Sequence, residues 1–190
     1  MHSHRLIITA SDSNYRTQLK QLFVQAGYVI VGESDSYTNT LRLVQSRKPD
    51  LIVIDGETSD MNIMELLHVI ESDKIAPAVI LTSKLQRHIV NKAKQSSFCS
   101  YILKPVAGPV LLSAIEVALA NFDRILQMEQ EIEKLKNTLE TRKAVDKAKG
   151  ILMQQLHVSE EEAYRRIRKK SMDKCISMKE VAESIVLAYE

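Results

Sequence analysis

Short apolar runs alternate with helix-period segments over the first hundred residues. Leu6-Ile7-Ile8-Thr9, Val29-Ile30-Val31-Gly32, Leu51-Ile52-Val53-Ile54, Ala78-Val79-Ile80-Leu81 and Tyr101-Ile102-Leu103 read as five strands. Their apolarity is continuous, as a strand buried on both faces requires. Tyr15 to Ala26, Thr38 to Gln45, Ile63 to Glu71 and His88 to Gln95 lie between them and are long enough for helices. Gly27 falls where a left-handed cap would end the first of these. This alternation predicts an α/β domain with a parallel sheet, right-handed crossovers and helices on both faces. Ligand sites in such sheets lie beyond the carboxyl ends of the strands.

The pattern changes after Pro109. From Val110 to Leu156 there is no Pro, and Gly150 is the only Gly. Apolar residues at Ile115, Leu119, Phe122, Ile125, Met128, Ile132, Leu135 and Leu139 recur in steps of three and four, the signature of a coiled-coil seam. The steps of three from Leu119 to Met128 should overwind the helix locally, like a stammer. Further on, Ser159-Glu160-Glu161-Glu162 and Ser177-Met178-Lys179-Glu180 are capping boxes that place helix starts at about 160 and 178. The stripes Ala144, Val145, Ala148, Ile151, Leu152; Ala163, Tyr164, Ile167; and Val181, Ala182, Ile185, Tyr189 can be buried only against one another. The expected architecture is an α/β domain over 1–120, a coiled-coil dimerisation helix over 121–140 and a small three-helix all-α bundle over 141–190.

Composition narrows this picture only slightly. The 190 residues, 45% hydrophobic, supply ample core material for one medium and one small domain, and the formal charge is +2. No apolar run approaches the roughly 18 residues of a membrane span. Cys99 and Cys175 lack metal-ligand spacing and read as free thiols of a cytoplasmic protein. No nucleophile elbow, metal-binding His pair or Gly-rich phosphate loop points to an enzyme.

The candidate chemistry sits at the strand ends. Asp12 follows the first strand, Asp55 ends the third, Thr82 ends the fourth, and Lys104-Pro105 follows the fifth. Found together, these residues make the amino-terminal domain resemble a response-regulator receiver, with a five-stranded parallel sheet of flavodoxin-like topology. By that resemblance Asp55 accepts a phosphoryl group from a sensor histidine kinase. Thr82 and Lys104 bind its oxygens, and Tyr101 with Thr82 forms the switch. Asp12, Asp55 and the backbone carbonyl of Glu57 hold Mg²⁺. Two departures stand out. Ser11 replaces the first of the two acids receivers usually carry, which should weaken Mg²⁺ binding, and Gly56-Glu57-Thr58-Ser59 replaces the usual Met-Pro pair. Asp60, Asp35 and Glu33 read as surface charges.

The carboxy-terminal bundle carries its own charge pattern. Residues 142–174 hold ten basic against five acidic residues. Arg142, Lys143, Lys147 and Lys149 lie on the first of its helices, and Arg165, Arg166, Arg168, Lys169 and Lys170 on the second. The last helix has Lys179 against Glu180, Glu183 and Glu190, which suits a DNA groove poorly. Gly150 in mid-helix costs about 1 kcal/mol relative to Ala. Close approach of a neighbouring helix or of a nucleic-acid backbone would explain it. Tyr164 and Tyr189 could stack on bases, but both lie on apolar stripes and are expected in the core. Ala148-Lys149-Gly150-Ile151-Leu152-Met153, then residues 159–168 and Val181-Ala182, closely resemble the ANTAR domain of transcription antiterminators. Members of that family bind paired RNA stem-loops in nascent transcripts. The resemblance implies RNA binding through the basic residues and Gly150. Phosphorylation is expected to drive homodimerisation through Ile125, Met128, Ile132, Leu135 and Leu139. The alternatives are a DNA-binding response regulator and a protein-binding adaptor with a degenerate receiver.

Overall fold

The structure, a computed structural model, describes residues 3–58, 63–84, 87, 90, 91 and 95–189. Most of the helix expected over 88–95 lies outside the described residues, as do Ser59, Asp60 and Glu190. The chain divides into two units, Met1–Leu126 and Gln127–Glu190.

The first unit holds β1 (Arg5–Thr9), β2 (Val29–Ser34), β3 (Leu51–Asp55), β4 (Ala78–Thr82) and β5 (Cys99–Leu103), all parallel in the order β2-β1-β3-β4-β5. The chain steps outward from β1 to β2 and then crosses back to β3. The topological switch therefore lies between β1 and β3, where Thr9 pairs with Ile54, one residue before Asp55. Successive side chains point to opposite faces. Ile7, Ile52, Ile54 and Ile80 meet Tyr37, Val44 and Leu66, from α2 (Tyr37–Arg47) and α3 (Ile63–Ser72), on one side. Leu6, Ile8, Val53 and Leu81 meet Leu19 and Phe23 of α1 (Ser13–Gln25) on the other. Burial on both faces holds for the three inner strands only. The edge strands β2 and β5, which the apolar runs also suggested were fully buried, are partly exposed because each has a single neighbour. Gly27 has φ +90°, the left-handed turn expected after α1.

The helix α4 runs unbroken from Gly108 to Leu156. Its apolar steps divide between two jobs, which corrects the reading of one continuous seam. Leu111, Ile115 and Leu119 pack under the sheet, and Phe122 makes an edge-to-face contact with Phe98 at 5.3 Å. Within the second unit, Met128, Ile132, Leu135 and Leu139 are about half exposed or more. Leu119→Ala should therefore cost about 2–5 kcal/mol in urea unfolding, as for a buried leucine. Leu135→Ala, at a side chain 62% exposed, should leave monomer stability within about 0.5 kcal/mol.

The second unit packs the end of α4 against α5 (Glu160–Lys174) and α6 (Met178–Tyr189) around Val145, Ala148, Leu152, Ala163, Ile167, Val181, Ala182 and Ile185. The Ser177 box is complete. Ser177 Oγ accepts the Glu180 N–H at 3.1 Å, and the Glu180 carboxylate accepts the Ser177 N–H at 2.8 Å. At the first box only the forward half forms, from the Glu162 N–H to Ser159 Oγ at 3.2 Å. The Glu162 carboxylate turns instead to Arg165 and Arg166 one turn on, a better-charged partner than a backbone amide. Two more expectations change. Tyr164 and Tyr189 are 43% and 50% exposed, not core residues, because Ala163 and Ile167 alone fill that stripe of α5. Among the described residues a Cβ on Gly150 would meet nothing within 4 Å, so no described neighbouring helix accounts for that glycine.

Candidate phosphoryl-acceptor site and basic helical face

Asp55 ends β3 where a fully buried apolar strand reaches the switch point, and its side chain is only 6% exposed. Its Oδ1 accepts Lys104 Nζ at 2.9 Å and the Glu57 N–H at 3.1 Å. Its peptide carbonyl accepts the buried Tyr37 hydroxyl at 3.0 Å and the Thr58 N–H at 3.2 Å. The acceptor is thus pinned through its backbone from α2 and charge-paired at its carboxylate.

Lys104 follows β5, and its N–H bonds the Thr82 carbonyl at 2.8 Å. The ammonium stands 2.9 Å from Asp55, 2.9 Å from Glu57 Oε2 and 4.9 Å above the Tyr15 ring. Burial acts to depress its pKa, but hydrogen bonds to Asp55 and Glu57 outweigh this and hold it above the ordinary value. Tyr15 moves up, chiefly by burial, against the opposing pull of Lys104. Glu57 Oε1 accepts the Ser83 N–H at 2.7 Å. That hydrogen bond first, and the one from Lys104 second, pull the Glu57 pKa from 4.5 down to about 2. A depressed carboxylate contributes stability above its unfolded pKa and loses it as pH falls through its folded pKa. Acid titration of the first unit should therefore show a loss between about pH 4.5 and 2 that is smaller in Glu57→Gln, as read by circular dichroism.

The remaining expected site residues are placed differently. Thr82 is buried, and its hydroxyl donates to the Lys84 carbonyl at 2.9 Å, within its own turn. Tyr101 packs half-buried against the core beside α3. Asp12 caps α1, with its carboxylate accepting the N–H groups of Asn14 at 2.8 Å and Tyr15 at 3.2 Å. Ser11 is exposed. The structure brings Asp55, Lys104 and Glu57 together, Glu57 through its side chain. Tyr37 and the Ser83 N–H were missed, since neither a buried tyrosine nor a backbone amide carries a sequence signal.

In the second unit, Arg142, Lys143, Lys147, Arg165, Arg166, Arg168, Lys169 and Lys170 are exposed. Lys149 is not: its ammonium lies 2.7 Å from both Asp146 and Glu160, tying α4 to the start of α5. A groove of about 760 Å³ is lined by Asn137, Thr141, Arg142, Lys149, Tyr164 and Met178. Lys147 lies on a different stripe of α4, beside Glu183 and Leu187.

Residues 6–116 match the response regulator receiver domain and residues 133–186 the ANTAR domain. The chain belongs to the response-regulator family and carries a carboxy-terminal ANTAR domain. It is 34% identical over 182 residues to the transcriptional regulatory protein PdtaR of Mycobacterium tuberculosis, a match covering 96% of this chain and 89% of that one. The chemotaxis protein CheY of Bacillus subtilis is 25% identical over 118 residues, covering 62% of this chain and 98% of its own. The fold matches the receiver domain of the response regulator NarL from M. tuberculosis at a TM-score of 0.56 and 17% identity, covering 63% of this chain and 98% of that domain. Among the described residues, no helix is long and apolar enough to cross a membrane.

Proposed function

We propose that this chain is a phosphorylation-controlled regulator whose carboxy-terminal bundle binds RNA hairpins and so prevents transcription termination. Its working parts are a receiver over 1–120, a pairing helix over 121–140 and an RNA-binding bundle over 141–190. The observation that carries the reading is an exposed aromatic among exposed guanidinium groups: Tyr164 lines a groove with Arg142, and Arg165 and Arg168 share its helix. Hairpin loops are read through unstacked bases that stack on such rings, with backbone contacts from cations.

Asp55 is the phosphoryl acceptor. One carboxylate oxygen forms the new O–P bond as the P–N bond of a kinase phosphohistidine breaks. The imidazole keeps the electron pair and takes up a proton from solvent. Lys104 neutralises the added charge, and Thr82 and Tyr101 relay it. The donor set offered by Asp12, Asp55 and the Glu57 carbonyl is all oxygen. This fits Mg²⁺, which uses one or two carboxylates and keeps several waters. When bound, the ion would add positive charge to phosphoryl oxygens. Ile125, Met128, Ile132, Leu135 and Leu139 form the surface on which two phosphorylated chains pair, so that one dimer holds two hairpins. Bivalency then raises affinity through effective concentration.

A gel shift with a hairpin-containing leader RNA tests this, with and without a phosphodonor plus Mg²⁺. Binding should tighten with the donor and weaken steeply with salt. Gly150→Ala separates the two readings of that glycine. It should stabilise the bundle by about 1 kcal/mol and, if RNA backbone approaches there, weaken binding. Unchanged RNA affinity would remove Gly150 from the interface.

A further inference from the structure

Two carboxylates share one cation at the acceptor site. Lys104 Nζ is 2.9 Å from Asp55 Oδ1 and equally 2.9 Å from Glu57 Oε2. The second oxygen of Glu57 takes the Ser83 N–H at 2.7 Å, so this one side chain links the residue after β5 to the residue after β4. The Thr82 hydroxyl, expected to meet phosphoryl oxygens, is meanwhile satisfied by Lys84. The Lys104 ammonium and the Ser83 N–H are therefore already engaged by an anion of the protein itself, and the Thr82 hydroxyl by the Lys84 backbone. The phosphoryl group carries a charge of about −1.5 to −2 and three acceptor oxygens, and because the Asp55 carboxylate charge is consumed in the new bond, the site gains roughly one negative charge. The group would be attached to a carboxylate that already touches Lys104. The dianion and the Glu57 carboxylate repel each other, and a single ammonium cannot neutralise both.

We propose that Glu57 is a resident anion holding the phosphoryl place in the unmodified protein: it occupies the Lys104 ammonium and the Ser83 N–H and must release both when Asp55 is phosphorylated. This rests on the assignment of Asp55 as the acceptor. It goes beyond that assignment by making Glu57 the residue that sets how readily loading occurs. Release of Ser83 is then the first displacement in the segment after β4. Glu57 is a positioning residue, since it acts through Lys104 and Ser83 and no bond forms to it.

The test uses the full chain with acetyl phosphate and Mg²⁺. Asp55 displaces acetate as the P–O bond of the donor breaks, and loading is read by intact mass. Glu57→Gln keeps the shape, removes the charge and should load at a donor concentration lower by roughly fivefold or more, because a repelling charge beside the acceptor is gone. Glu57→Asp keeps the charge but is too short to span Lys104 and Ser83, so it should fall between the two. In wild type the Ser83 amide resonance should move on loading. Equal or slower loading of Glu57→Gln, or a Ser83 amide that stays in place while wild type loads, would overturn the proposal and leave Asp55 as acceptor. If neither protein gained a phosphoryl group, or if Asp55→Ala gained one equally, the acceptor assignment would fall with it.

Discussion

Reversing the charge at Lys147 and Arg168 to Glu should lower affinity for hairpin RNA by roughly 100-fold at moderate salt, with the fold intact. Each phosphate contact made by a cation contributes a slope of about 0.7–0.9 in the logarithm of affinity against the logarithm of salt. Two reversals remove two such contacts and add two repulsions. Both side chains are exposed and stand outside the bundle core, so circular dichroism and melting should change little. A filter-binding series from low to high salt is the measurement. An adaptor that uses the bundle only for protein contacts would show unchanged RNA binding, and that result would reject the RNA reading. Tyr164→Ala probes the other half of the interface. Stacking of a base is worth about 1–3 kcal/mol, and its loss should be nearly independent of salt.

Asp55→Ala should abolish the effect of phosphodonor on the monomer–dimer balance. In wild type, sedimentation at fixed protein concentration should shift toward dimer when acetyl phosphate and Mg²⁺ are added; in the variant the two traces should superimpose. Lys104 keeps Glu57 as a partner in this variant, so the loss is not explained by an orphaned buried cation. An Asp55→Ala chain that still dimerised with donor would place control elsewhere and mark the receiver as degenerate.

The strand ends were legible because a polar residue closing a continuous apolar run has few structural reasons to be there. Asp55 and Thr82 terminate β3 and β4 for that reason. The helix starts at Glu160 and Met178 were legible from the local chemistry of Ser159 and Ser177. Contacts that depend on side-chain direction across long separations were not. Glu57 reaches Ser83 over 26 residues and Lys104 over 47, and no periodicity encodes either distance. The apolar steps of α4 were legible as positions but not as partners, since Leu119 under a sheet and Leu135 on an exposed face obey the same spacing. Tyr164 failed for a related reason. Sharing a stripe with Ala163 and Ile167 fixes its direction only to within a turn, and the size of the neighbouring helices decides whether the ring is covered.

The paired position of Lys149 has a consequence for anyone who counts charges to size the RNA footprint. Its ammonium is already neutralised by Asp146 and Glu160, with few ions of its own to shed when a polyanion arrives. Salt titrations should thus report fewer phosphates than the ten cations of residues 142–174 suggest. Lys149 instead bridges Asp146 on α4 to Glu160 at the start of α5, so under the proposed RNA reading it would shape the surface more than charge it.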